Sequence, residues 1–308
     1  MGFRDFPFVA REDDKNRDPR RFPGHREVLI HLKEFTKEFG VEKLVRFETE
    51  VVYVGMVKSS DNFNQWKVGS KKRSGDEVDE IFDAVVVCVG HYTEPRVADI
   101  PGIDARPGKQ INSHNYRTPL PFRDKGFLRG SSASSIDICR DIAGVAREVH
   151  VAFEWPLRAV KILIMFKPMQ IKSIRGDGSV VFNDESVVFA DVFLHYTGYK
   201  FHFPILDTNG IVTVHDNRVR SLYKHVFPPA LAPRLSFVGL PKGKHQICFD
   251  RHQPEFQSKW MAGILSDRIQ LPSEEDMTED INAFYSTLEV YGTPKRYIND
   301  LTNSTRVK

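Results

Sequence analysis

The stretch GFLRGSSASSIDICRDIAGVAREVHVA, Gly126 to Ala152, decides how the chain is read. Phe127 and Leu128 read as a short strand, Gly130 to Ser135 as a turn of small residues, Ile136 to Ala146 as a helix, and Glu148 to Ala152 as a second strand. That order opens a βαβ unit, in which a helix crosses between two parallel strands. A turn of glycine and serine here suits a dinucleotide pyrophosphate, because backbone N–H groups can approach it closely and the helix N-terminus stabilises its charge. The candidate contacts are Gly130, Ser131, Ser132, Ala133, Ser134 and Ser135. Gly-Ser turns also precede helices that bind nothing, so the pattern alone leaves both readings open.

Upstream, FDAVVVCV (Phe82 to Val89) is continuously apolar and β-branched, the pattern of a strand buried on both faces of a parallel sheet, and Gly90 closes it. Prolines at 95, 101, 107, 119 and 121 then exclude a long helix or a central strand, so Thr93 to Phe122 should be an extended crossover. A boundary placed there divides the chain into 1–122, 123–195 and 196–308. Downstream, Phe189 to His195 reads as a strand before YTGY (Tyr196 to Tyr199), and Leu235 to Val238 as another before Gly239. Thr197 and Gly198 are further candidate contacts, the glycine letting the backbone pass close to a cofactor.

The helix in PGHREVLIHLKEFTKEFG carries Val28, Leu29, Leu32, Phe35 and Phe39 on one face and stops at Gly40. Leu44 to Val54 and Asn64 to Ser70 predict an antiparallel ribbon. A helix over Glu255 to Leu265 should bury Phe256, Trp260 and Ile264, and Ser273 with Asp276 forms a capping-box pattern.

The 308 residues hold 44 basic and 41 acidic side chains, a net charge of +3, interleaved with no basic arm, which argues against nucleic acid as a partner. The longest apolar runs, Ala84 to Val89 and Ile162 to Phe166, are too short to span a bilayer, which needs about 20 residues. The run Val160 to Phe166 is expected as a buried strand. MGFRDFPFVARED has charge and proline where a secretory signal is apolar, so a cytoplasmic location is expected. Cys88, Cys139 and Cys248 form no CxxC pair and read as reduced, buried thiols.

GSSASSIDICRDIAGVAREVHVA resembles the nicotinamide-binding turn of plant flavin-containing monooxygenases, and the resemblance extends to MGFRDFPF, VVVCVGHYTEPRVADIPGID, SHNYR, YTGYKFHFP, VFPPALAPRLSFVGLP and FQSKW. It implies an α/β protein in which a nicotinamide-dinucleotide-binding Rossmann-like domain is inserted into an FAD-binding Rossmann-like domain. It also implies an oxidoreductase that uses NADPH, FAD and O2 to oxygenate a soft nucleophile in a small molecule, an amine nitrogen or a thioether sulfur such as that of a glucosinolate side chain.

The departures from the family shape the remaining expectations. Family members begin with a strand and a GxGxxG turn for the flavin pyrophosphate, whereas this chain opens at MGFRDFPF and contains no GxGxxG, so an incomplete FAD domain is expected, with sheet left uncovered for self-association. No catalytic side chain is assigned. Gly126 to Arg129 stand where the family has a β-branched run, and in RPGKQINSHNYR Arg106 and Asn112 replace an aromatic residue and a histidine. His114 is expected as a hydrogen-bonding linker residue. Where the family holds the 2′-phosphate of NADPH with Ser-Arg, Phe153 and Glu154 follow the second strand. A carboxylate ~4 Å from that phosphate would repel it by roughly 4 kcal/mol, whereas a 2′-hydroxyl would be accepted, so Glu154 makes NADH possible beside NADPH. The alternative function is that of an inactive relative that at most binds a nicotinamide nucleotide.

Overall fold

The structure, a computed structural model, describes residues 2–8, 18, 24–58, 64–90, 92–123, 126–129, 133–146, 149–152, 170–189, 191–215, 217–240 and 252–290. The chain runs through α1 (His25–Glu38), β1 (Thr49–Lys58), β2 (Asn64–Lys72), β3 (Glu77–Phe82) and β4 (Val85–Val87). There follow β5 (Glu94–Pro95), β6 (Lys109–Asn112), β7 (Gly126–Arg129), α2 (Ala133–Ala143), β8 (Val149–Ala152), β9 (Ile171–Ile174), β10 (Ser179–Phe182), β11 (Val187–Phe189), β12 (Val192–His195) and β13 (Tyr199–Lys200). The last elements are β14 (Leu206–Asp207), β15 (Val214–His215), β16 (Arg218–Val219), β17 (Leu235–Phe237), α3 (His252–Leu265) and α4 (Glu274–Val290). They form two compact units: Met1–Gly90 together with Phe201–Lys308, and an inserted unit, His91–Lys200, which takes in the proline-rich stretch from residue 93 to 122.

In the discontinuous unit, β1, β2 and β3 form the expected antiparallel ribbon, and β14 joins its edge in parallel to β1. Trp66 and Val54 from this sheet share a core with Leu235 and Phe237 of β17. The stretch Phe82 to Val89, expected as one strand buried on both faces, is divided between two sheets. Phe82 closes the antiparallel ladder opposite Trp66, Asp83 breaks the run by accepting from the Gln65 amide at 3.1 Å, and only Val85–Val87 pair in parallel with β17. Those three residues are half-buried or exposed, so the β-branched run overstated the burial. Cys88 lies exposed just beyond them, contrary to its expected burial, whereas Cys139 is buried.

Two helical faces also differ from the expected ones. On α1, Leu29, Leu32 and Phe39 are exposed while Glu27 and His31 are buried: Phe3, Phe6 and Phe8 pack on His31, and of the expected face Phe35 meets Phe3 and Phe6 and Phe39 meets Phe6. On α3, Phe256 is exposed and interacts with the Arg4 guanidinium, 5.2 Å from its ring centroid. The buried stripe there is Gln257, Met261 and Ile264, at the i, i+4, i+7 spacing of one helical face. Half of the capping box at α4 is formed: Ser273 Oγ accepts from the Asp276 N–H at 3.1 Å, and its hydroxyl donates to the Asp276 carboxylate at 2.7 Å.

The inserted unit is layered around a parallel sheet of order β6-β12-β7-β8. Side chains alternate along β12, so Val192, Leu194 and Tyr196 pack with Cys139 and Ile142 of α2, while Phe193 packs with Val180 and Phe182 of the antiparallel sheet β11-β10-β9. The four residues Val192–His195 are all buried, as expected for a central strand of a covered sheet. Full burial of each Leu or Phe here contributes about 1.5–3 kcal/mol. The residues expected as an extended crossover do more than connect: Ala98, Ile100 and Ile103 enter the same core as Phe193, and Lys109–Asn112 forms the edge strand β6. Val160 to Phe166 lie outside the described residues.

Candidate functional site

In the inserted unit, α2 leaves the carboxyl end of β7 and the chain returns in parallel as β8. The next strand to enter this sheet, β12, pairs on the opposite side of β7. Strand order therefore reverses between β7 and β12, and in open α/β sheets the crevice outside the carboxyl ends at such a switch point is where dinucleotides bind. Two further segments meet this edge, namely the 3-10 turn Ser113–Asn115 after β6 and Tyr196-Thr197-Gly198 after β12.

Of the candidate contacts, Gly130, Ser131 and Ser132 lie outside the described residues. Ala133, Ser134 and Ser135 form the first turn of α2, which starts earlier than the sequence pattern predicts, so their backbone N–H groups belong to the orphan donors at a helix N-terminus. Glu154 also lies outside the described residues, which reach Ala152 at the end of β8. Thr197 is tied down, its hydroxyl donating to the Arg96 carbonyl. The Gly198 carbonyl accepts from the Arg96 N–H at 2.9 Å. Gly198 has φ +77° with no described atom within 4 Å of where a Cβ would stand, so the backbone favours glycine and, among the described residues, leaves room for a ligand.

Several residues shape this edge that sequence reasoning did not single out as contacts. Asn112 accepts from the His114 N–H at 2.9 Å through its side-chain oxygen, capping the short turn that presents His114. The hydrogen bonds at His114 are those of its backbone, whose carbonyl also accepts from Arg117 at 2.7 Å, while its ring meets Tyr199 at 5.8 Å. The Tyr116 hydroxyl donates to the Asp141 carboxylate on α2, and burial first, then that bond, holds its pKa well above the usual tyrosine range. Beside it, burial pushes the Cys139 thiol up to about 12, so it stays protonated. Burial likewise raises Tyr196, whose hydroxyl has no hydrogen-bond partner among the described residues. His195 at the end of β12 meets Gln110 Oε1 at 3.0 Å, and Gln110 donates through its amide nitrogen to the Ile103 carbonyl at 3.0 Å. That orientation of the amide assigns the imidazole proton to Nε2. No sequence signal joins residues this far apart in the chain.

The discontinuous unit has an edge of similar kind. The parallel strands β4 and β17 are followed by Gly90 and Gly239, with φ +71° and +79° and no described atom within 4 Å of either Cβ position. The Gly239 N–H donates at 2.9 Å to Gln257 Oε1, on the buried face of α3. Glycines with left-handed backbone at the carboxyl ends of parallel strands allow close approach by a flat or anionic ligand. Among the described residues no His, Cys, Asp and Glu cluster could hold a metal ion, and no helix is long and apolar enough to cross a membrane.

These features define a two-unit α/β protein with a dinucleotide-type switch point in the inserted unit. The family model for flavin-binding monooxygenase-like proteins matches residues 1–156 and 153–301, and the chain belongs to that family. It is 54% identical over 310 residues to the Arabidopsis thaliana flavin-containing monooxygenase FMO GS-OX-like 3, covering 98% of this chain and 68% of that protein. To FMO GS-OX5 of Arabidopsis thaliana it is 53% identical over 308 residues, covering 98% of this chain and 65% of the relative. Among solved structures, S-allyl-L-cysteine S-oxygenase from Allium sativum superposes with a TM-score of 0.87 at 50% identity, over 97% of this chain and 67% of that one. These similar proteins are monooxygenases and therefore oxidoreductases, and the chain spans about two thirds of their length. The two-domain Rossmann-type fold implied by the resemblance is the fold of these relatives, with the insertion seen here.

Proposed function

We propose that this protein takes part in FAD- and NADPH-dependent transfer of one oxygen atom from O2 to a soft nucleophile, a thioether sulfur before an amine nitrogen. The observation that supports this most is the 50% identity, over 97% of the chain, to an enzyme named for S-oxygenation of S-allyl-L-cysteine. The residues present offer positions for part of each group, without the GxGxxG turn that holds the flavin pyrophosphate in the family. The α2 N-terminus, Thr197 and Gly198 would hold the nicotinamide nucleotide, and Gly90 and Gly239, steadied by Gln257, would hold the flavin. When bound, reduced flavin supplies the activation of O2. The chain's own contribution is placement: backbone donors at α2 neutralise pyrophosphate charge, and left-handed glycines let the two groups reach the strand ends.

A carboxylate at Glu154, standing where the family holds the 2′-phosphate, would accept a ribose 2′-hydroxyl, so NADH is the second nucleotide to be tested beside NADPH. A methylthio or allylthio side chain is the substrate class, with glucosinolates the specific case, and the setting is cytoplasmic. The test supplies the full chain with FAD, S-allyl-L-cysteine, oxygen-18 O2 and either NADPH or NADH. The expected product is sulfoxide carrying one labelled oxygen, and the two arms show which nucleotide supports it. Bound nicotinamide nucleotide without bound flavin or labelled sulfoxide would instead favour the inactive relative that at most binds a nicotinamide nucleotide.

A further inference from the structure

The switch point fixes the direction in which a dinucleotide must lie. With its pyrophosphate at the start of α2, its adenosine half runs toward the carboxyl end of β8, where the ribose is read in such folds. The nicotinamide half then runs the other way, across β12 toward β6.

What stands at that end of the edge is aromatic. Tyr199, one residue beyond the open Gly198, is held by antiparallel pairing of Tyr199 and Lys200 with Pro95 and Glu94. The Tyr92 ring meets the Tyr199 ring edge to face at 5.1 Å, and the exposed His114 ring meets it on the same terms at 5.8 Å. Tyr92 keeps 48% of its surface exposed. Two edge-to-face contacts centred on Tyr199, beside a glycine whose Cβ position has no described atom within 4 Å, make a partly exposed aromatic wall, which suits a planar electron-poor ring.

Resting on the nucleotide reading above, we propose that Tyr92, Tyr199 and His114 form the subsite for the nicotinamide ring, and that they act by positioning it rather than by proton transfer. Orientation of the ring follows from packing, since edge and face contacts with a fixed aromatic wall leave few poses.

The experiment compares, on the full chain by calorimetry, two ligand pairs whose members differ by the nicotinamide alone: NAD+ with ADP-ribose, and NADP+ with 2′-phospho-ADP-ribose. In Tyr199→Leu, the nicotinamide-bearing member should lose about fivefold in affinity while its partner changes by less than about twofold. Tyr199→Phe, which keeps the ring, should match the parent. Tyr92→Leu should repeat the selective loss, and because Tyr92 is largely exposed this variant is available if Tyr199→Leu fails to fold. Equal loss in both members of a pair, or no loss in either, would overturn the subsite while leaving the nucleotide reading intact. If the parent binds none of the four ligands, the nucleotide reading fails and the subsite with it.

Discussion

Gly198 carries more constraint than any other candidate contact that the structure describes. Its φ of +77° lies in the left-handed region, where a Cβ costs roughly 1–2 kcal/mol, yet no described atom stands within 4 Å of that Cβ. A Gly198→Ala variant therefore separates backbone strain from steric conflict with a ligand. We expect its urea midpoint to fall by an amount equivalent to about 1 kcal/mol, and nucleotide affinity to fall further than that strain explains, because the methyl occupies space a ligand would use. An unchanged midpoint would mean that the backbone relaxes at no cost. Gly198 was legible in the sequence because YTGY is short and the constraint is local. Tyr116 with Asp141, and Tyr92 with Tyr199, were not, since contacts between residues so far apart arise from topology, which no local pattern encodes.

At the scale of elements, the segment from β15 to α4 stores the clearest pH response. His225 has φ +60°, packs its ring at 5.5 Å against Phe284 of α4, and is followed in the core by Val226 and Phe227. Burial first, then the neighbouring Lys224 charge, lowers its pKa from 6.5 to about 4. The Lys224 ammonium itself is held by Asp280 of α4 at 2.6 Å. With the folded value depressed, the unfolded chain binds more protons between about pH 6.5 and pH 4, so stability is complete above that window and falls as the pH drops through it. The loss is at most roughly 3 kcal/mol. His225→Asn, which tolerates the same backbone, should flatten the slope of unfolding free energy over that window, measured by urea titration at a series of pH values. A slope unchanged by the substitution would assign the response to other groups.

Elements were read from the sequence with uneven success for related reasons. The βαβ core and the ribbon followed from periodicity and turn residues. The α1 and α3 faces did not, because burial on them depends on partners remote in sequence, Phe3 and Phe6 for one and the chain after β16 for the other. The run from Phe82 to Val89 failed for a different reason: β-branched composition predicts strand but not which of two sheets each half joins.

For the molecule as a whole, the insertion itself makes a prediction. The unit His91–Lys200 has two cores of its own, one between its parallel sheet and α2, the other between that sheet and β9–β11. Its ends are brought together by the pairing of β5 with β13 and by the Arg96 N–H bond to Gly198 at 2.9 Å, so excision cuts the chain at two adjacent points and leaves no long loop to close. Its length falls in the ordinary range of about 100–150 residues for an independent domain. A fragment spanning residues 91–200 should therefore unfold in one cooperative urea transition and bind ADP-ribose with the affinity of the full chain, because every described candidate contact for the nucleotide lies within it. Circular dichroism and calorimetry on the same sample decide the matter. A fragment without a cooperative transition would show that the unit's cores depend on the rest of the chain. A cooperatively folded fragment that fails to bind, beside a full chain that does, would move the nucleotide site out of this unit and with it the assignment of Thr197 and Gly198.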